Sequence, residues 1–222
     1  MNLKLRRLIL FVFILSSRAN AQYVEIDSLK RVLDITKTTT VKANQYNKLA
    51  DLYKEINPDS TLFYAHKAGV VSSKANYTSG LATSHINKGN AYIILGNYSE
   101  ALKYFKKAQS EFKTALQQNS NDKQLKSGLA RAYASSGVVN SEQNNYALSL
   151  KNYEQALQLY QEIKEQSSVS KALNNIGVLY ESTQNYPKAL QYLKEAYKIQ
   201  VSLGEQNAPI TLTNIGFIYF QL

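Results

Sequence analysis

The 222-residue chain has no cysteine and no tryptophan, one methionine, two histidines and three prolines. Without cysteine it forms no disulfide, carries no thiolate nucleophile and cannot be lipidated at a leader junction, so its stability rests on apolar packing. The histidines, His66 and His85, fall in no metal-binding spacing such as His-Glu-x-x-His. Glycine is sparse, at nine residues, and none of it forms a phosphate-cradling loop or a Gly-x-Ser-x-Gly elbow. Two Ser-x-x-Lys matches, Ser110–Lys113 and Ser168–Lys171, lack the companion motifs of acyl-serine enzymes. No segment alternates apolar and polar residues, so no strands are expected. The longest apolar run, Leu8–Leu15, has eight residues against the roughly 20 that cross a bilayer. These absences leave no metal site, no cofactor site and no catalytic constellation, and argue against an enzyme.

Residues 1–21 differ from the rest: Lys4, Arg6 and Arg7 precede the apolar run, and Ala19-Asn20-Ala21 follows it. That order reads as a secretory leader cleaved after Ala21, which makes the chain exported, periplasmic or otherwise extracytoplasmic; an uncleaved anchor is the rival reading. The formal charge of +10 falls when the leader goes, because Lys4, Arg6, Arg7 and Arg18 leave with no acid: 22 basic minus 16 acidic residues gives +6. The remaining bases are interleaved with acids, as in Lys103, Lys106 and Lys107 against Glu100 and Glu111. A nucleic-acid surface would concentrate them in a stripe, so no nucleic-acid partner is expected, while an acidic partner stays open.

Four glycines, Gly89, Gly137, Gly177 and Gly216, stand inside helix-like stretches. Behind the first three the same residue types recur. An aromatic follows nine residues on (Tyr98, Tyr146, Tyr186), a small residue twelve on (Ala101, Ser149, Ala189), a bulky one sixteen on (Phe105, Tyr153, Leu193) and alanine nineteen on (Ala108, Ala156, Ala196). Glycine in a helix costs about 1 kcal/mol relative to alanine, so its return at one phase marks a packing contact. The small residue twelve on is the expected partner.

This ladder resembles the tetratricopeptide repeat (TPR), whose pattern has Leu-Gly, Tyr, Gly-x-Tyr, Ala, an aromatic and Ala. Gly89, Tyr92, Gly96-Asn97-Tyr98, Ala101, Tyr104-Phe105 and Ala108 carry nearly all of it, and Ile176-Gly177, Tyr180, Asn185-Tyr186, Ala189 and Ala196 repeat it. The Gly137 unit departs at Asn140 and Ser149 but keeps Tyr146 and Ala156. An earlier unit keeps Leu49-Ala50, Tyr53 and Ala68, with Asn57-Pro58-Asp59 in its turn and a second helix that reads one residue short. The glycines are 48, 40 and 39 residues apart, beyond the usual period of about 34. The extra length is expected after the last alanines, in Gln109–Lys126, Leu157–Ser170 and Tyr197–Asn207, as long second helices with polar linkers. In this the chain resembles the long-period arrays of kinesin light chains and of bacterial sensor proteins. Gly96-Asn97, Asn144-Asn145 and Gln184-Asn185 occupy the turns within units, where left-handed backbone belongs.

The resemblance implies an all-α, right-handed superhelical solenoid of helix-turn-helix hairpins. Its expected organisation is the leader 1–21, a helix and linker over 22–42 with an amphipathic stretch near Ile26–Ile35, and an array over 43–222. Units are placed near 43–78, 82–125, 130–169 and 170–208, with an incomplete unit at 209–222. That last unit carries Leu212, Asn214, Gly216 and Tyr219 but no second helix, so Phe217, Tyr219 and Phe220 lose cover. Either the chain is the first part of a longer protein or a partner completes the unit. The oligomeric state is not legible, although the uncovered half-repeat offers a pairing surface.

In TPR arrays the first helices line a concave face that holds peptides or partner helices. Two residues before each glycine stand Asn87, Ser135, Asn175 and Asn214, similar to the asparagine ladder in the array of the O-linked N-acetylglucosamine transferase. An amide there can pair bidentately with an extended backbone, or close a bond between repeats; both readings stand. Asn90 matches one position of the dicarboxylate clamp, but Ile86 replaces its lysine. Arg131 and Lys171, six residues before their glycines, add positive charge that admits an acidic or C-terminal carboxylate ligand. The function implied is a non-enzymatic protein- or peptide-binding scaffold, the exported sensing part of a longer bacterial signalling regulator. The alternative is a free-standing periplasmic or secreted adaptor; an enzyme built on the array, acting through His85 or Lys171, comes last.

Overall fold

The computed structural model describes residues 22–222, so the leader expected at 1–21 lies outside the described residues. Residues 22–35 are helical and form α1. Then follow α2 (Thr39–Tyr53), α3 (Pro58–Lys74), α4 (Thr78–Ile94), α5 (Tyr98–Gln118), α6 (Lys123–Glu142), α7 (Tyr146–Glu162), α8 (Gln166–Ser182), α9 (Tyr186–Ser202) and α10 (Ala208–Gln221). Among the described residues there is no strand. Consecutive helices pack as antiparallel hairpins, α2–α3, α4–α5, α6–α7 and α8–α9, and each hairpin stacks on the next, giving an all-helical solenoid. The array therefore has first helices (α2, α4, α6, α8, α10) and second helices (α3, α5, α7, α9).

The glycines act differently from the expectation. A methyl group placed on Gly89 would collide with the Phe105 ring, on Gly137 it would lie 2.6 Å from the Tyr153 ring, and on Gly177 2.6 Å from Leu193 Cγ. The partner of each glycine is thus the bulky residue sixteen positions on, seated where a side chain is missing, and not the small residue twelve on. That small residue has its own task, close approach of the helices: Ala101 and Ala189 are fully buried, and the Ser149 hydroxyl donates to the Gly137 carbonyl at 2.8 Å. In the first hairpin the sizes are exchanged. Leu49 holds the glycine position and Ala65, sixteen on, the bulky one, both wholly buried. Thr61 and Ala68 then keep the offsets of twelve and nineteen, and α3 has 17 residues like α7 and α9. The second helix of this unit is therefore not one residue short.

The placement of the extra length is corrected too. From Tyr146 to Asn185, two 17-residue helices and two three-residue connectors make up the 40-residue period, so first and second helices share the added length. Only α5, at 21 residues, is long among the second helices. The eight further residues between Gly89 and Gly137 fall as four in α5, one in the connector 119–122 and three in the 20-residue α6.

Six connections are built alike. Asn76, Gly96, Asn144, Lys164, Gln184 and Gly204 take φ between 52° and 70°, and the next amide reaches back five residues. Asn97 N–H donates to Tyr92 O at 2.8 Å and Glu165 N–H to Tyr160 O at 2.9 Å, the Schellman closure that satisfies a terminal carbonyl. Within the turns, Gly96, Asn144 and Gln184 are the left-handed residues expected. The α2–α3 and α5–α6 connections lack such a residue and rely on N-caps: Asn57 Oδ1 accepts from Ser60 N–H, and Asp122 Oδ1 from Gln124 and Leu125 N–H. Pro58 and Pro187 lie in first turns, where the missing donor has no helical partner.

A stacked tyrosine pair recurs inside hairpins, Tyr92 with Tyr104 and Tyr180 with Tyr192, each at 5.6 Å between centroids. In the third hairpin Asn140 and Asn152 hold both positions, each bonding a carbonyl of its own helix so that neither amide is orphaned. At the amino end α1 covers the array, with Ile26 and Leu33 packed on Tyr46, Leu49 and Ala68. At α10 there is no such cover: a methyl on Gly216 meets nothing within 4 Å, and Phe220 is 85% exposed.

Gly89→Ala and Gly177→Ala are expected to lower stability by about 1–3 kcal/mol through overpacking, whereas Gly216→Ala gains helix propensity worth about 1 kcal/mol. Urea midpoints measured on the three variants check the contrast, and equal losses would refute the seating. Lys164→Gly and Gln184→Gly are expected to raise stability by about 1 kcal/mol each, relieving left-handed backbone at residues with a Cβ; thermal melts test this.

Candidate functional site

The face lined by the first helices is where the sequence places its candidates, and the structure divides them. Asn87 is 1% exposed, and its Nδ2 donates to the Asn47 carbonyl at 3.0 Å and to Asn47 Oδ1 at 3.2 Å. Asn47 in turn donates to the Gly80 carbonyl at 2.8 Å. Asn87 is thus a buried clasp between α2 and α4, out of reach of a ligand, and its placement in a groove is corrected. Asn47 was missed as its partner, although the signal was present: with Leu49 read as the glycine position, Asn47 stands two residues before it, as Asn87 does before Gly89.

Asn90 and Ser135 do come together. The Ser135 hydroxyl donates to Asn90 Oδ1 at 3.4 Å, and both border a depression of ≈ 400 Å³ with Ile93, Ile94, Val138 and the α2 end at Lys54 and Glu55. Its floor is apolar and Ile94 is 57% exposed, so apolar surface and two polar groups meet across α2, α4 and α6.

Arg131 is exposed in the wall of a larger trough, ≈ 820 Å³, with Thr83, Phe112, Leu125, Gly128 and Glu165. The longer α5, connector and α6 build that wall. Beneath it Tyr160 is buried, which pushes its phenol up to about 12, opposed by the Arg131 charge nearby. Glu165 is held by the hydroxyls of Ser127 (2.9 Å) and Ser168 (2.6 Å). At the rim Lys126 pairs with Glu162 at 2.9 Å, and that hydrogen bond holds the Glu162 carboxyl below its usual range.

Lys171 and Asn175 border a third depression of ≈ 310 Å³ between α8, α9 and α10, where Thr211 donates to Asn174 Oδ1 at 3.0 Å. Asn214 is half-buried on α10 and has no hydrogen bond that ties it to the other amides. A continuous amide ladder therefore does not form: Asn87 is spent inside the array, Ser135 bonds sideways to Asn90, and Asn175 lies apart from both.

His85 and Lys171 sit on different hairpins. His85 Nδ1 is 2.8 Å from Glu111 Oε2, with its ring 5.7 Å from that of Tyr104, between α4 and α5. Beside it Lys88 is held below the usual lysine range by burial, then by the neighbouring Lys107. Among the described residues no three His, Asp or Glu side chains are grouped to hold a metal ion, and no helix is long and apolar enough to cross a membrane.

Two family models match, both described as tetratricopeptide repeat, over residues 82–111 and 128–202. The first covers most of α4 and of α5, the second most of α6 and all of α7 to α9. No curated protein matches the sequence. Similar solved structures include BtubC (BKLC) from P. vanneervenii (TM-score 0.64, 17% identity, 85% of this chain and 76% of that one). Aspartyl phosphate phosphatase F from Bacillus subtilis is another (0.71, 18%, 89% and 52%). A third is a Rap protein complexed with competence and sporulation factor (0.74, 16%, 91% and 54%). The chain thus spans about half the length of the last two, and at these identities the likeness shows the fold. With the seated glycines, the hairpin order and both family matches together, residues 82–111 and 128–202 are tetratricopeptide repeats.

Proposed function

We propose that the chain is a non-enzymatic scaffold that holds a peptide segment of a partner protein along its first helices. The observation that carries this is the depression bordered by Asn90, Ile93, Ile94, Ser135 and Val138. Apolar side chains there remain open to solvent beside Asn90 and Ser135, whereas Asn87 is consumed by an inter-repeat bond. Apolar floor with a few polar groups is what a side-chain pocket for a peptide requires. Arg131 and Lys171, both exposed, favour a peptide with acidic residues flanking the apolar one. The similar Rap structure holds competence and sporulation factor, which supports the same use of the fold here.

A peptide library displayed on phage and selected against residues 22–222 tests the reading. Selected peptides are expected to lose at least about tenfold in affinity on Val138→Asp or Asn90→Ala, each worth about 1.4 kcal/mol or more. Asn87→Ala is expected to lower stability by about 1 kcal/mol while leaving affinity unchanged. Peptides indifferent to both groove substitutions would overturn it.

We further propose that the chain is exported and serves as the sensing part of a longer regulator, the free-standing adaptor being the second reading. The basic residues, apolar run and Ala19-Asn20-Ala21 at the start support export. Sequencing the amino end of the protein recovered from the periplasm of a bacterial host is expected to begin at Gln22; an intact Met1 in the cytoplasm would refute export.

A further inference from the structure

Four lysines of the array are matched by carboxylates: Lys48 by Glu25, Lys54 by Asp51, Lys103 by Glu100 and Lys126 by Glu162. Three others gather without such a match. Lys30 of α1, Lys42 of α2 and Lys67 of α3 line one cavity of ≈ 500 Å³ where the amino-terminal helix meets the first hairpin. None of the three forms an ion pair among the described residues. Asp34 is the one carboxylate on the lining, so three ammoniums less one carboxylate leave a formal charge of +2.

Aromatic rings hold these ammoniums in place. Lys67 Nζ lies 4.5 Å from the Phe63 ring centroid and 5.7 Å from that of Tyr46, and Lys30 Nζ lies 5.6 Å from that of Tyr53. A ring face attracts a cation but does not neutralise it. The Tyr53 hydroxyl holds the Lys30 ammonium above its usual range, and burial raises the Tyr64 phenol, which keeps its O–H as a donor. The cavity also has an apolar side: Leu33 and Tyr46 are buried at its floor, and Phe63 is 53% exposed at its edge.

We propose that this cavity binds a phosphate monoester whose organic part is a flat apolar ring. Like charges around one cavity repel each other, and an anion seated among them replaces that repulsion with attraction. Lysine supplies point charges on flexible stems, which suit the oxygens of a phosphate, whereas a planar carboxylate is matched by the arginine fork. The lining has three lysines and no arginine. A phosphate monoester carries close to two negative charges above about pH 6, equal to the charge of the lining, while a sulfate ester or a carboxylate carries one. Free phosphate leaves the Phe63 face in water; a ring stacked on that face removes it. The site belongs to α1, α2 and α3, outside the depression at Asn90 and Val138, and does not depend on the peptide-binding reading.

Titration calorimetry of the chain with phenyl phosphate at about pH 8 tests the site, the ester being a dianion there. Binding is expected, and Lys42→Met and Lys67→Met are each expected to weaken it at least about threefold. Asp34→Asn removes the opposing carboxylate and is expected to strengthen it about twofold. Phenyl sulfate and inorganic phosphate are each expected to bind at least about threefold more weakly than phenyl phosphate, the first lacking a charge and the second the ring. Lys103→Met, on an exposed lysine of α5, is expected to leave the affinity unchanged. Should Lys67→Met disturb the first hairpin by baring Phe63, Lys42→Met and Asp34→Asn, with opposite expected signs, carry the comparison. No binding, an affinity indifferent to both lysine variants, or equal binding of phenyl sulfate or inorganic phosphate overturns the assignment.

Discussion

Everything in this array follows from a bulky side chain seated where its neighbour has no Cβ. Phe105 over Gly89, Tyr153 over Gly137 and Leu193 over Gly177 set how closely the two helices of a hairpin approach and at what phase. A larger residue on the first helix would push the pair apart. The tyrosine stacks, the buried alanines and the Ser149 bond to Gly137 all depend on that spacing. In the first hairpin Leu49 and Ala65 stand at the same offset with large and small exchanged, both wholly buried, so the position tolerates a side chain where its counterpart is small. Close-packed interiors impose this rule: total volume at a contact is held, while the side that supplies it is free to change.

The fold was legible because the contact recurs at one offset, and repetition separates a packing constraint from chance. The helix ends were less so. Sequence periodicity places the seated residues, which lie mid-helix, but says little about how far each helix runs beyond them; hence the added length is expected in second helices and their linkers, whereas first helices share it. The glycine's partner was misjudged for a related reason. A small residue opposite a small residue is the intuitive pair, yet at this distance a gap must be filled, so the bulky residue four positions later takes the place.

The candidate site was legible only in part, for a physical reason that Asn87 and Asn90 make plain. Both are asparagines on α4, three residues apart, so they sit about 300° around the axis from each other and meet different neighbours. One turns to α2 and is consumed by Asn47; the other borders solvent with Ser135. Sequence spacing alone does not tell which side of a first helix meets the preceding one. Conversely, the aromatic contacts between hairpins were invisible as a set, because the Tyr77 ring lies on Gly80 from a connector while the Phe112 ring lies on Gly128 from a second helix.

Stability along such an array is the sum of unit and junction contributions, and here the two ends differ. α1 covers the first hairpin through Ile26 and Leu33. α10 rests on α9 through Ile215 and Ile218, but no side chain is seated at its Gly216. Each unit is held only by its neighbours, so a seat lost inside the array weakens contacts on both sides, whereas one lost on α10 weakens those to the α8–α9 hairpin alone.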